Sequence, residues 1–208
     1  QEERSAREVA HPGILAASRM ARKTKTRAPR TRTRTTRRRR ASRRLHVVVT
    51  AGPTREHLDP VRYLSNESSG RMGFAIAEAA RKAGHRVTLV AGPVALSTPS
   101  GVERIDIVSA REMFAATLKA FRRADALFMA AAVSDWRPSR QLSGKWRAKD
   151  RPGSSIRLAL TRNPDILAAC GHDSARRGKV IVGFALETAS GITRARRKLK
   201  RKNADFIV

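Results

Sequence analysis

Six short apolar runs recur between Leu45 and Val208, separated by loops and by stretches with helical spacing. They are LHVVVTA (45–51), RVTLVAG (86–92), RIDIV (104–108), DALFMAA (125–131), KVIVGFA (179–185) and ADFIV (204–208). Each is rich in β-branched residues and lacks the strict alternation of a strand with one wet face, so each suits a strand covered on both sides. Strands that alternate with helices return in the same direction through right-handed crossovers. The expectation is therefore an α/β chain: a three-layer, Rossmann-like, mostly parallel sheet with helices on both faces.

Three helices are legible from their punctuation. The first, from about Gly70 to Ala83, puts Met72, Phe74, Ile76, Ala79, Ala80 and Ala83 along one side. The second opens on the capping box Ser109-Ala-Arg-Glu112 and buries Met113, Phe114, Leu118 and Phe121, because Ser and Glu can satisfy two orphan amides reciprocally. The third starts at Asn163-Pro164, with Asn163 as cap and Pro164 in the first turn, where a missing donor costs nothing. IRLAL (156–160) is a candidate extra strand before it.

Residues 1–44 have a different texture. RKTKTRAPRTRTRTTRRRRASRR (22–44) has almost no large apolar side chain, and residues 1–45 carry 16 Lys/Arg against 3 acids. Such a segment repels itself and is expected to be disordered. Met20 can initiate translation and Gln1 cannot, so one reading is upstream sequence that is not native coding. A nonspecific arm for nucleic acid or another anion is a second, since arginines neutralise phosphates whatever the base sequence. An organellar targeting peptide is a third, weakened by the lack of an amphipathic apolar face. The division is then a tail, 1–44, and one domain, 45–208. Cys170 is the only cysteine, which excludes an internal disulfide and suits a reducing cytoplasm. No apolar run approaches the roughly 20 residues a bilayer demands, so no membrane contact is expected.

Function in such sheets belongs to the loops beyond the carboxyl ends of the strands. The first of them, TAGPTREHLDPVRYLSNESSGRMG (50–73), is far longer than the roughly 2–6 residues that usually suffice. Ser68, Ser69 and Gly70 close it at a helix start, where free amides and the dipole can hold an anion. The dinucleotide fingerprint G-x-G-x-x-G is absent, because Pro53 follows Gly52 and the next glycine is Gly70. A simple NAD site is disfavoured.

Thr50-Ala-Gly-Pro-Thr-Arg-Glu56, Asp59-Pro-Val-Arg62-Tyr63, Ser65-Asn66 and Ser68-Ser-Gly-Arg-Met-Gly73 resemble the opening of phosphopantothenoylcysteine synthetase. The likeness continues in order through Ala130-Ala-Ala-Val-Ser-Asp135-Trp-Arg-Pro138, Asn163-Pro-Asp-Ile166, Val182-Gly-Phe184-Ala-Leu-Glu187-Thr188 and Lys198-Leu-Lys-Arg-Lys202-Asn-Ala-Asp205-Phe-Ile-Val208. The resemblance implies a ligase of coenzyme A synthesis that joins 4'-phosphopantothenate to L-cysteine through an acyl-cytidylate. It implies CTP, in preference to ATP, as co-substrate, with Mg2+, no bound flavin and a homodimer.

By the same resemblance, Asn66, Arg62 and Lys145 are the catalytic candidates: Asn66 holds the acyl-nucleotide and Arg62 its carboxylate or phosphate side. Lys145 reaches the triphosphate, although Lys145-Trp-Arg-Ala-Lys149 departs from the family's lysine-rich run. Ser68, Ser69, Gly70, Met129, Ala130, Ala131, Asp135, Lys145, Pro164, Asp165, Ile166, Leu167, Phe184, Lys198 and Lys202 are the implied nucleotide contacts. Asp135 is the candidate metal carboxylate, through the triphosphate. Leu186 stands where the family commonly has alanine. Members usually continue beyond Phe206-Ile-Val208, so the resemblance also implies a domain incomplete at this end. The rival class is a basic nucleic-acid-binding protein that acts through its arginine-rich tail on an inactive scaffold. Charge supports it, but the ordered loop blocks have no place in it.

Overall fold

The computed structural model describes residues 43–147, 157–185 and 191–208. The expected tail therefore lies outside the described residues except for Arg43 and Arg44, as do Leu186 and the start of the IRLAL run. Six parallel strands make the main sheet: β1 (His46–Ala51), β4 (Arg86–Ala91), β5 (Glu103–Asp106), β6 (Ala126–Met129), β9 (Val180–Gly183) and β10 (Phe206–Ile207). Each coincides with one of the six apolar runs. Two antiparallel pairs lie outside it, β2 (Arg55–His57) with β3 (Tyr63–Ser65) and β7 (Trp136–Pro138) with β8 (Leu160–Arg162). The extra strand expected at 156–160 is thus realised at Leu160–Arg162 instead.

The sheet order is β10-β9-β6-β1-β4-β5. Read from β5 and numbered along the chain, the six main strands run 3-2-1-4-5-6, the doubly wound order, whose ligand crevice opens where the direction of winding reverses. That point is between the carboxyl ends of β1 and β6. Helix α1 (Arg71–Lys82) covers one face through Phe74 and Ala77, against Val47, Val49, Val87 and Leu89. Helices α2 (Ala110–Phe121) and α3 (Ile166–Gly171) cover the other, packing Met113, Phe121, Ile166 and Leu167 on Val48, Val90, Leu127 and Ile181. Helix α4 (Gly191–Lys202) packs on α3, where the Lys202 carbonyl comes so close to Gly171 that a Cβ there would lie 1.9 Å away.

Local chemistry fixes these boundaries. Ser109 Oγ accepts the Glu112 N–H, and the Glu112 carboxylate accepts both the Ser109 hydroxyl and the Val108 N–H, so the capping box forms as expected. The buried carboxylate of Glu56 accepts the Ala110 N–H at 2.9 Å and ties the long insertion to the same helix start. Two expectations are corrected. Helix α1 buries Gly73, Phe74 and Ala77, while Met72 is 60% exposed and Ala79 and Ala83 face solvent, because the tightest packing uses a glycine that an apolar pattern does not count. Helix α3 is capped by Asp165, whose side chain accepts the Ala168 N–H, and not by Asn163. The Asn163 amide instead donates to the Ser134 carbonyl and accepts from Arg137.

Candidate active site

The loops after β1 and β6 leave the sheet side by side and are stitched together. Ala132 donates to the Gly52 carbonyl at 2.9 Å, Ala131 to Thr50 Oγ1 at 3.2 Å and Ser134 to Thr54 Oγ1 at 3.0 Å. Asn66, just past β3, donates its amide to the Ala132 and Val133 carbonyls at 3.4 and 3.1 Å. Its side chain is therefore held against the crevice rather than left in an unbonded loop.

Gly70 caps α1 with φ 76° and no side-chain cap, and the Ser68 hydroxyl accepts the Gly70 N–H. A Cβ at Gly70 would sit 3.4 Å from the Gly52 nitrogen, and one at Gly73 would lie 2.5 Å from the Ala51 Cβ. Gly52 and Gly70 thus take the positive φ of the turn and Gly73 makes the close helix-to-strand contact, a spatial arrangement like that of the three glycines of a dinucleotide loop. The expectation that this device is absent holds for the linear sequence only. Residues 53–69 are inserted between its first and second glycines.

Beyond β6 opens a cavity of about 570 Å³. Met129, Ala131, Asp135, Pro164, Asp165, Ile166, Leu167, Phe184, Lys198 and Lys202 all line it, so ten of the predicted contacts come from four separate segments to one place. Lys198 Nζ donates to the Phe184 carbonyl at 2.6 Å, and Lys202 forms an ion pair with Asp165. The pair links the α3 cap to the last turn of α4. Burial lowers the Lys202 pKa below the ordinary lysine value, against the upward pull of the Asp135 charge. An arriving polyanion would favour the charged ammonium further.

Lys145 is not brought to this cavity. It lies with Arg140, Leu142 and Trp146 around a separate depression of about 270 Å³. Arg62 is anchored beside that turn: its guanidinium pairs with Asp59 at 2.8 Å and donates to the Trp146 carbonyl. Asp59 is fully buried. Burial pushes its pKa up, but hydrogen bonds from the Arg62 side chain and from the backbone N–H groups of Trp146, Val61 and Arg62 outweigh this and hold the carboxyl well below the usual carboxylate range. Ala130, Ser68, Ser69 and Gly70 are not among the cavity's walls; Ser68 to Gly70 stand just before α1.

The DNA/pantothenate metabolism flavoprotein C-terminal domain matches residues 42–208. The chain belongs to this family. It is 48% identical over 163 residues to the coenzyme A biosynthesis bifunctional protein CoaBC of Haemophilus influenzae, covering 78% of this chain and 40% of that protein. The CoaBC proteins of Escherichia coli and Bacillus subtilis are 45% and 43% identical, over 78% of this chain and 40% and 39% of theirs. The chain thus spans about two fifths of the length of these relatives. The solved C-terminal domain of a CoaBC superposes with TM-score 0.68 at 38% identity, covering 79% of this chain and 76% of that one. A Cab2 variant solved with phosphopantothenate-cysteine shares the fold, with TM-score 0.66, 18% identity and coverage of 78% and 71%.

The cavity also has walls beyond the expected contacts. Trp136 and Arg162 face each other across the β7–β8 pair, the guanidinium 5.1 Å from the ring centroid, and Arg201 joins Lys198 and Lys202. Arg201 was recoverable, since it stands three residues after Lys198 on the same helix face. The Trp136–Arg162 pairing depends on a strand register that no local pattern announces.

Proposed function

We propose that the chain is the ligase part of a coenzyme A pathway enzyme, joining 4'-phosphopantothenate to L-cysteine with CTP as the activating nucleotide. The observation that carries this reading is the convergence of Asp135, Asp165, Lys198 and Lys202 on one cavity beyond the carboxyl ends of β6 and β9, with Asn66 hydrogen-bonded to the carbonyl of Val133 in its wall. Membership of the family and close identity to CoaBC proteins support it.

The chemistry follows from the weakness of a carboxylate as an electrophile. A carboxylate oxygen of phosphopantothenate attacks the α-phosphorus of CTP, the bond to the β-phosphate oxygen breaks, and pyrophosphate departs. The cysteine amine then attacks the acyl carbon of the acyl-cytidylate, loses a proton, and CMP leaves with the bonding electrons. Both steps gather negative charge on oxygen, which fixed cations and amides stabilise most where water is excluded. Lys198 and Lys202 suit the triphosphate, the Pro164–Leu167 segment and Phe184 the base and sugar, and Asn66 and Arg62 the activated acyl group. The Ser68–Gly70 turn is a further phosphate contact in this reading, and Met129 and Ala131 form the floor under the ribose.

Magnesium bound with a triphosphate needs only one or two protein carboxylates. Among the described residues no group of three or more His, Cys, Asp or Glu is placed to cage a metal. The Asp165 oxygens are engaged by the Ala168 N–H and by Lys202, so Asp135 is the carboxylate that fits, and the metal would neutralise charge on the leaving pyrophosphate. A homodimer and a cytoplasmic setting belong to the same proposal; no helix among the described residues is long and apolar enough to cross a membrane.

The test is pyrophosphate release by the purified chain, expected to stop at about one equivalent per site with phosphopantothenate and CTP alone and to continue through many turnovers only when cysteine is added. ATP in place of CTP is expected to give lower kcat/KM. Turnover that ignores cysteine, or none with any nucleotide, would sink the reading.

A further inference from the structure

Arg62 and Lys145 belong to loops far apart in sequence, and one carboxylate joins them. Asp59 Oδ1 accepts the N–H groups of Val61 at 2.8 Å and Arg62 at 2.7 Å. That alone would close the Asp-Pro-Val-Arg turn. Oδ2 accepts Arg62 Nε at 2.9 Å, Arg62 Nη2 at 2.8 Å and the N–H of Trp146, 87 positions away, at 3.0 Å. Arg62 Nη2 also donates to the Trp146 carbonyl, and the guanidinium carbon lies 6.0 Å from the indole centroid. Leu142 adds a second strap by donating to the Leu58 carbonyl at 2.9 Å. The residue that follows Lys145 therefore has both its backbone N–H and its C=O bonded to the Asp59–Arg62 pair.

An Asx turn needs one oxygen, and here the second gathers a guanidinium edge and a distant amide. A buried anion is tolerated when its lone pairs are filled by donors, and Asp59 meets that condition. A neutral amide in its place could not: whichever way it turned, its NH2 would face N–H donors of Val61 and Arg62 or of Arg62 and Trp146.

We propose that Asp59 is a positioning residue that locks Arg62 and the Lys145–Trp146 turn into one unit, so that both cations are presented to the same bound substrate. Its consequence for turnover rests on the ligase reading; the locking itself does not. Asp59 touches no substrate in this account and acts through Arg62 and Trp146.

Two measurements test it. In a Trp136→Phe background Trp146 is the sole tryptophan, and Asp59→Asn is expected to raise its acrylamide quenching constant about twofold or more while far-ultraviolet circular dichroism stays unchanged. Should the Asn variant fail to fold, Asp59→Glu, which keeps the anion but moves it by one methylene, is expected to give the same increase. In the chain with both tryptophans, Asp59→Asn is expected to lower kcat/KM about tenfold or more and to be non-additive with Lys145→Ala, the double variant losing little beyond the worse single one. Trp146 quenching at the wild-type value in the folded variants would overturn the locking, and multiplicative losses would overturn its catalytic role. If the wild-type chain shows no ligase turnover, the ligase reading falls while the quenching result still decides whether Asp59 joins the loops.

Discussion

Gly73 in the first turn of α1 lies directly on Ala51 at the end of β1, so close that an added Cβ would stand 2.5 Å from the Ala51 Cβ and 2.8 Å from the Thr50 carbonyl oxygen. Two effects oppose each other in Gly73→Ala. Helix propensity favours alanine by roughly 0.8–1.0 kcal/mol. Overpacking against a core usually costs about 1–3 kcal/mol, and here the obstacle is the backbone of the central strand, which cannot turn aside. The expected outcome is a net loss of roughly 1–2 kcal/mol, together with weaker nucleotide binding because the start of α1 is pushed from the crevice. Urea melts and a CTP titration of the variant check both.

Much of the fold was legible because burial on two faces leaves a coarse mark: every strand of the main sheet overlaps an apolar run, and only β5 begins one residue before its run. The Ser109–Glu112 cap was legible because its partners are three residues apart. What failed depended on tertiary neighbours. Asn163 and Asp165 are both good caps by residue type, and the choice was made by Ser134 and Arg137 occupying Asn163. The three-glycine turn was hidden because its members are adjacent in space but separated by an insertion in sequence. Spacing could not say that the Lys145 turn packs on Asp59 rather than entering the cavity with Asp135, since that depends on how the insertion after β1 folds back.

Lys202 and Asp165 make a further pair with separable roles. Lys202→Ala removes a cavity cation and leaves Asp165, whose side chain is 47% exposed, able to find water. A hydrogen bond to a charged group is worth about 1.5–3 kcal/mol, so CTP affinity is expected to fall roughly ten- to a hundredfold, with little change in Tm. Asp165→Ala deletes the α3 cap as well and is expected to cost about 1 kcal/mol of stability besides. Isothermal titration with CTP and thermal melts of both variants separate the two effects; equal stability losses would contradict the assignment.

Cys170, in the last turn of α3, is fully buried. Burial, with a contribution from the Asp173 charge, raises its thiol pKa to about 12. The thiolate is the reactive species, so the folded protein is expected to resist Ellman's reagent at pH 8 and to react with one equivalent on denaturation. The sign for stability follows from proton uptake: between the unfolded value, about 8.5, and the folded one, the native state holds the extra proton. Stability should fall as pH rises above about 9, and Cys170→Ala should remove that part of the slope although it opens a small void. Rapid labelling of the native protein at pH 8 would show that the thiol is not shielded as described.

Asp59 gives the opposite sign at the acid end. Its carboxyl is held below the usual range in the folded state, whereas in the unfolded chain it titrates near 3.9. The stabilisation it supplies is therefore complete above the unfolded value and is lost progressively as pH falls toward the folded one. The difference in Tm between wild type and Asp59→Asn is expected to be constant from about pH 7 to pH 5 and to shrink steadily between about pH 4 and pH 2.5. Other carboxylates titrate in the same window, but they are common to both proteins and cancel in the difference. A gap that closes already near pH 6, or one that does not narrow by pH 2.5, would mean that Asp59 is not the ionised centre to which Arg62 and Trp146 are bound.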